Sequence, residues 1–252
     1  MINYKIRVQY DGTRYKGWQR QKSTDQTIQG KIEVILKKQF GRDIEIDGSG
    51  RTDAGVHAMY QVANFRLHEA EAEHFGGEPE ALTALLNAYL PEDIAVLETR
   101  IASERFHSRL NAVEKTYIYR IWNSGIPNVF DRKYVFQIEK KLDVEQMRQA
   151  AEPLLGTHDF AAFCGNAKMK KSTVRSIYEI RIETIGDEVR ITYRGNGFLQ
   201  NMVRILTGTL VEVGLGDRDA MSMTAILESK TRAQAGAMMP ACGLTLWEVK
   251  YD

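Results

Sequence analysis

The sequence predicts an α+β chain made of two ferredoxin-like halves, each with the element order βαββαβ and a largely antiparallel sheet. Three observations lead there. Strand-type alternation and helix-type periodicity succeed one another in that order over residues 2–102. The same succession returns between residues 113 and 251, although no sequence repeat links the two stretches. The composition is that of an ordinary globular chain: 252 residues, 43% hydrophobic, 27% charged, with 20 Gly and 5 Pro. Collagen-like, low-complexity and disordered classes are thereby excluded. The boundary falls between residues 1–104 and 105–252.

In the first half, residues 2–10 read as a strand. Ile2, Tyr4, Ile6, Val8 and Tyr10 share one face, and Lys5, Arg7 and Gln9 the other. Residues 11–26 form a polar loop headed by Asp11-Gly12, with Trp18 inside it. A helix follows over 27–40, striped by Ile28, Ile32, Ile35 and Leu36. Residues 43–48 and 59–67 read as strands on either side of a glycine-rich loop. Glu78-Pro79 opens a helix to Leu90, since Pro suits a first helical turn, and Pro91 stops it. Residues 94–102 supply the next strand.

The second half begins with a strand over 113–123, where Val113, Lys115, Tyr117, Tyr119 and Ile121 alternate with Glu114, Thr116, Ile118 and Arg120. A short strand is expected at 133–139. Asp143 reads as the N-cap of a helix through Leu155, ended by Gly156. Residues 174–184 and 188–194 form a hairpin around Gly186-Asp187. A helix from Leu199 to Val213 turns Met202, Ile205, Leu206, Leu210 and Val213 inward. Ser222 starts a short helix, and Leu244–Tyr251 makes the last strand.

Only Cys164 and Cys242 are present, which excludes a disulfide framework and a zinc ribbon. No window of about 18 apolar residues occurs, and the first residues alternate polar and apolar, so a soluble cytoplasmic protein is expected. The net charge is +1 but is unevenly spread. Lys5, Arg7, Arg14, Lys16, Arg20 and Lys22 against Asp11 give residues 1–22 a charge of +5. Lys168, Lys170, Lys171 and Arg175 give 165–175 a charge of +4. Residues 69–98 hold eight acids and no Lys or Arg. A near-neutral total can thus hide a basic face and an acidic back. On charge alone, solvated surface residues account for the same pattern.

The most unusual segment is Gly48-Ser-Gly-Arg-Thr-Asp-Ala-Gly-Val-His-Ala58. Its glycines open backbone angles closed to other residues and let a ligand approach closely. A calcium loop is excluded because Arg51 stands where an oxygen ligand belongs. A dinucleotide loop is excluded because Gly48-Ser-Gly-Arg-Thr-Asp53 lacks the third glycine. A plain inter-strand turn remains possible from the residues alone.

Gly50-Arg-Thr-Asp-Ala-Gly-Val-His-Ala58 resembles the signature of the tRNA pseudouridine synthase A family. Tyr10-Asp-Gly-Thr-Arg-Tyr-Lys-Gly-Trp-Gln-Arg20 is similar to that family's first motif. Phe106-His-Ser-Arg109 through Lys115-Thr-Tyr-Ile-Tyr119 matches its central stretch. Gly195-Asn-Gly-Phe-Leu-Gln-Asn-Met-Val-Arg204 matches its third motif, and Ala241-Cys-Gly-Leu-Thr-Leu246 its tail. The matches stand in family order along nearly the whole chain. Three stretches depart from the pattern: Ala237-Met-Met-Pro240, Thr245 and His74-Phe-Gly-Gly77. None touches the catalytic motifs, but they leave room for a shifted RNA target.

The resemblance implies a pseudouridine synthase fold in which the two halves form one catalytic unit around a central basic cleft. It implies isomerisation of uridine to pseudouridine at positions 38, 39 and 40 of the tRNA anticodon stem-loop. No atoms are gained or lost overall, so no cofactor and no metal are expected. Asp53 is the implied nucleophile or stabiliser of charge at C1′, with a ribose adduct and a glycal-type elimination both open as routes. Arg204 is the implied ion-pair partner of Asp53. Tyr117 is implied to stack on the target base, with Tyr119 as its core counterpart, and Arg51 to help extrude that base. His57 is expected to be a structural hydrogen-bonding residue, and Phe198 to pack beneath the site.

Arg14, Lys16, Arg20 and Lys22 around Trp18, His107 and Arg109 in the central motif, and Lys168, Lys170 and Lys171 in the 165–173 loop fit an RNA-binding surface. For the loop lysines a solvated surface is an equal reading, and Trp18 fits core as well as contact. The family also implies a homodimer sharing one tRNA. One rival is a non-catalytic RNA-binding module, since two ferredoxin-like halves share their element order with RRM platforms. The chain lacks an aromatic RNP motif, however, and that rival gives no reason for an Arg-Thr-Asp loop. The other rival is the same chemistry on a different RNA.

Overall fold

A computed structural model describes residues 1–166 and 168–252. In chain order the elements are β1 (Ile2–Tyr10), α1 (Ile28–Phe40), β2 (Asp47–Gly48), β3 (His57–Leu67), α2 (Glu69–Glu73), α3 (Pro79–Asn87) and β4 (Ile94–Ala102). There follow β5 (Ala112–Trp122), β6 (Phe136–Gln137), α4 (Val144–Ala151), β7 (Gly156–Asp159), β8 (Val174–Ile185), β9 (Glu188–Gly195), α5 (Met202–Gly214), α6 (Ser222–Ser229) and β10 (Leu244–Tyr251). Two compact units emerge: Met1–Val113 with Leu246–Asp252, and Glu114–Thr245. Among the described residues no helix is long and apolar enough to cross a membrane.

In the first unit, β1 lies between β4 and β3, and β3 also neighbours β10. The β1–β3, β1–β4 and β2–β3 pairs are antiparallel. Alternation does what the sequence predicts. Tyr4, Ile6, Val8 and Tyr10 are at most 3% exposed and join Ile28, Ile32 and Leu36 of α1 and Leu82 and Leu86 of α3 in the core. The limits of α1 have clear causes. The Thr27 hydroxyl accepts the Gly30 N–H at 3.2 Å, and Gly41 takes a left-handed φ of 72° while its N–H reaches the Lys37 carbonyl.

The strand expected at 43–48 shrinks to Asp47–Gly48. Ile44 and Ile46 are buried as an alternating strand requires. The polar groups of Ile46, however, are met by side chains of α1 rather than by a neighbouring strand. Its N–H donates to Glu33 Oε1 at 3.1 Å, and its carbonyl accepts from Gln29 Nε2 at 3.1 Å. With those groups satisfied, no ladder forms there. The helix expected to Leu90 ends at Asn87 and unwinds through a turn. Its last side chain serves β4 instead, as Asn87 donates to the Val96 carbonyl and accepts the Val96 N–H, both at 2.8 Å. The short helix α2, absent from the sequence expectation, is anchored by Arg42 on Glu71.

The second unit has the order β5-β9-β8-β7, antiparallel throughout, with β6 parallel to β5. Asp143 caps α4 by accepting the Gln146 N–H at 3.0 Å. The helix gives way to a 3₁₀ turn at 152–154. The strand expected over 133–139 reduces to two residues, and β7 had no apolar alternation to announce it. The helix α5 starts at Met202 rather than Leu199, because Asn201 sits in the left-handed region at φ 60°. The hairpin of β8 and β9 turns at Gly186-Asp187 as expected.

Candidate active site

The glycine-rich loop of the first unit is clamped by the first motif. Trp18 N–H donates to the Thr52 carbonyl at 3.1 Å, and Gly55 N–H to the Tyr15 carbonyl at 3.2 Å. The Tyr10 and Thr52 hydroxyls bond at 2.8 Å in the buried interior. Burial drives the Tyr10 phenol well above its usual pKa, so it stays neutral. From β3, Gln61 Nε2 donates to the Gly50 carbonyl, and its Oε1 accepts from Ser49 Oγ. Asp53 heads a four-residue turn closed by Val56 N–H to its own carbonyl at 3.1 Å. Gly55 takes the third place of that turn with φ 79°, where a side chain would be strained.

Two glycines of the first motif make this fit possible. A Cβ on Gly12 would stand 1.9 Å from the Val56 carbonyl oxygen. One on Gly17, whose φ is 97°, would stand 2.6 Å from the Thr52 carbonyl oxygen. The backbone on both sides of Asp53 is therefore packed against another backbone with no room for a methyl group. Asp53 itself is half-buried. The sequence marked the motif but not this task of Gly12 and Gly17, whose contacts join segments far apart in the chain.

His57 is 3% exposed, and its Nδ1 accepts the Gly12 N–H at 3.0 Å, with an Asp11 carboxylate oxygen 3.2 Å away. It thereby ties the two loops together. Trp18 is 1% exposed and packs near Tyr10 with ring centroids 6.0 Å apart, so it is core. Its indole fills the space beside Gly48, where a Cβ would meet Nε1 at 2.3 Å. Arg14 pairs with Asp93 at 2.6 Å, and Arg20 with the buried Glu33 at 3.0 Å. Arg51, Lys16, Lys22 and Arg109 are exposed. His107 is half-buried, 3.8 Å from the Asp47 carboxylate, and accepts the Arg109 N–H.

The second unit carries the aromatic and arginine groups. Tyr117 lies on β5 opposite Tyr193 of β9, is 8% exposed, and meets Phe198 edge to face at 5.3 Å. Tyr119 on the same face is fully buried and donates to the Pro240 carbonyl at 2.8 Å. Arg204 is half-buried in the first turn of α5, and its Nε donates to the Met239 carbonyl at 2.6 Å. The Arg204 carbonyl accepts the Met239 N–H in return, at 3.1 Å. Met239 belongs to one of the stretches that depart from the family pattern, yet it holds the arginine through backbone atoms. The side chain there can change without disturbing that grip. Lys168, Lys170 and Lys171 are exposed; Ala167 of the same loop lies outside the described residues. Among the described residues no cluster of three His, Cys, Asp or Glu side chains has metal-holding geometry.

The tRNA pseudouridine synthase family model matches residues 6–109 and 150–252. A protein named tRNA pseudouridine synthase A 2 from Bacillus cereus (strain ZK / E33L) is 47% identical over 251 residues, covering 100% of both chains. A tRNA pseudouridine synthase A from Bacillus sp. (strain KSM-64) is 49% identical over 251 residues, again 100% of both. A tRNA pseudouridine synthase A 1 from Clostridium tetani (strain Massachusetts / E88) is 45% identical over the same length and coverage. With the motifs in family order and full-length relatives at this identity, the chain belongs to the tRNA pseudouridine synthase family, a family of isomerases.

Proposed function

We propose that the chain converts uridine to pseudouridine in the tRNA anticodon stem-loop, at positions 38, 39 and 40, with Asp53 as the catalytic carboxylate. Family membership along the whole chain carries the reaction. The backbone clamp on residues 52–56 supports Asp53, because a reacting carboxylate must be held in place before the substrate arrives.

The reaction breaks the C1′–N1 bond, turns the uracil, and joins C1′ to C5. C5 then loses its proton and N1 gains one, so the balance closes without a redox partner. Asp53 acts at the ribose, as nucleophile toward C1′ or by way of an elimination. Arg204 pairs with Asp53, its guanidinium offering a positive charge to the carboxylate. The Met239 carbonyl aims that guanidinium. Tyr117 stacks on the flipped base, and its edge-to-face contact with Phe198 steadies the ring. Flipping costs a few kcal/mol, offset by stacking and phosphate contacts. Arg51 helps extrude the base, and Arg14, Lys16, Arg20, His107 and Arg109 hold the RNA backbone.

In this reading two ferredoxin-like halves, 1–104 and 105–252, form one catalytic unit around a basic cleft. The order β1-α1-β2-β3-α3-β4 supports the first half and β5-α4-β8-β9-α5 most of the second, while the last strand, β10, pairs with β3 and belongs to the first unit. The enzyme works in the cytoplasm as a homodimer on tRNA. Mapping pseudouridine in unmodified tRNA transcripts after incubation with the protein tests the assignment. New pseudouridine at 38, 39 or 40 is expected; modification confined to other positions, or to another RNA, would overturn the target.

A further inference from the structure

The sheet of the first unit buries one face in its core; the other is covered at Asn3, Val62 and Asn64 and is open around Arg7, Arg100 and Tyr60. On this second face β1 presents Lys5 and Arg7, β4 presents Glu98 and Arg100, and β3 presents Tyr60. In the antiparallel register Lys5 lies directly opposite Arg100, and Arg7 opposite Glu98. Like charges directly opposite one another weaken strand pairing. Glu98 is shared by both arginines, at 3.8 Å from Arg7 and in close contact with Arg100. Both arginines thus rely on one carboxylate, with Lys5 beside them. The arginines stay open to solvent, Arg7 with 48% and Arg100 with 72% of the side chain exposed.

Aromatic rings accompany these charges. The Lys5 ammonium lies 4.1 Å from the Tyr251 ring centroid and 4.9 Å from that of Phe106. Arg7 sits 5.6 Å from the Tyr60 ring, which is 36% exposed. Burial and then the charges of Arg7 and Arg100 hold the Lys5 pKa below its usual value, only partly offset by Glu98. The second unit also sets like charges opposite one another, Arg120 facing Arg190 across the β5–β9 ladder, but those two arginines share Glu188 and have further acids beside them, Asp131 at Arg120 and Glu183 opposite Arg190, while Arg194 faces Glu179 and also binds Glu114. The opposition there is met by more acids than the single Glu98 of the first unit.

We propose that the open part of this sheet face in the first unit is a docking strip for RNA phosphates, with Lys5, Arg7 and Arg100 as the contacts and Tyr60 offering its ring to an unpaired base. It rests on the tRNA reading and adds a contact surface to it. Phosphates would relieve the repulsion that the fold leaves standing, and an exposed aromatic beside cations is how single-stranded nucleic acid is held.

The test measures tRNA affinity against salt concentration for four proteins: wild type, Arg7→Gln with Arg100→Gln, Arg7→Lys with Arg100→Lys, and Glu98→Gln. Each lost phosphate contact flattens the log–log slope by about 0.7–0.9, so the double glutamine variant should lose roughly 1.4–1.8. The double lysine variant should keep most of the wild-type slope. Glu98→Gln, which removes the acid from the strip, should bind tRNA more tightly than wild type. Thermal melting should be no lower for the glutamine pair, since it removes the like-charge opposition. An unchanged slope in the glutamine pair, or no tightening in Glu98→Gln, would overturn the strip while leaving the enzyme assignment intact. A change in oligomeric state with unchanged tRNA affinity would mean that the face meets a second copy of the chain, and would also overturn it. Failure of wild type itself to bind tRNA would instead sink the underlying reading.

Discussion

Gly12→Ala should damage catalysis while sparing the fold. The added Cβ would stand 1.9 Å from the Val56 carbonyl oxygen, whereas real contacts of this kind do not come under 3.0 Å. The two backbones must therefore part by about 1.1 Å. Gly12 is tethered by its N–H to His57, so the movement falls partly on Val56. Val56 closes the turn on the Asp53 carbonyl, and the displacement is passed to the carboxylate's own residue. A shift of about 1 Å at a reacting group costs on the order of 100-fold in rate, or about 2.7 kcal/mol of activation free energy. Overpacking costs about 1–3 kcal/mol of stability, within the 5–15 kcal/mol typical of a domain. Tritium release from [5-³H]uridine-labelled tRNA, beside a thermal melt, separates the two effects. Gly125→Ala is the control, because a Cβ there meets nothing within 4 Å. A folded Gly12→Ala protein with a rate within about threefold of wild type would refute the idea that the first motif's glycines position Asp53.

Two further predictions concern stability. Glu33 is 5% exposed and accepts from Gln29 Nε2, Ile46 N–H and Arg20, so Glu33→Ala strands buried donors and should cost about 2–4 kcal/mol in urea unfolding; a loss below about 0.5 kcal/mol would contradict that role. Acid should also destabilise the protein. The hydrogen bond from Arg42 lowers the Glu71 pKa; at Glu188 burial works upward but Arg120 and Arg190 outweigh it; the Thr173 hydroxyl and Lys230 lower Asp159. Each folded-state value lies below the unfolded one, so their stabilisation is complete above about pH 4.5 and is lost as pH falls through the folded values. The melting temperature should be level from pH 7 to about 5 and fall below about 4; a rise on acidification would contradict the assignment.

Much of the fold was legible because burial follows period. The alternation of β1, β4, β8, β9 and β10 marks those strands closely, and Thr27, Gly41 and Asp143 are caps that sequence chemistry announces. What escaped depends on tertiary partners. The segment 43–46 alternates like a strand, but Gln29 and Glu33 take over the backbone groups of Ile46. The strand β7 has no apolar rhythm, and pairing with β8 alone creates it. Asn201 delays α5 through a left-handed φ that its residue type permits but does not demand.

The candidate site was legible in its residues and not in its supports. The glycine-rich loop drew attention to Asp53, yet a plain turn explained it equally well until the whole motif was considered. The spacing of Gly12 and Gly17 gave no sign that both backbones press on residues 52–56, because those contacts bridge about 40 residues of chain. Nor could Arg204 reveal its hold on Met239, which passes through a backbone carbonyl and is indifferent to the side chain there. Trp18 was ambiguous for the opposite reason: basic neighbours in sequence suggested an RNA contact, whereas Gly48 and Tyr10 claim the ring for the core.

The central claim is that Asp53 carries the chemistry on tRNA. The most direct measurement is tritium release from [5-³H]uridine-labelled tRNA by wild type and by Asp53→Asn, with tRNA affinity measured on the same preparations. The account predicts release by wild type, none by Asp53→Asn, and affinities within a few fold of each other. Release by a folded Asp53→Asn protein would contradict it.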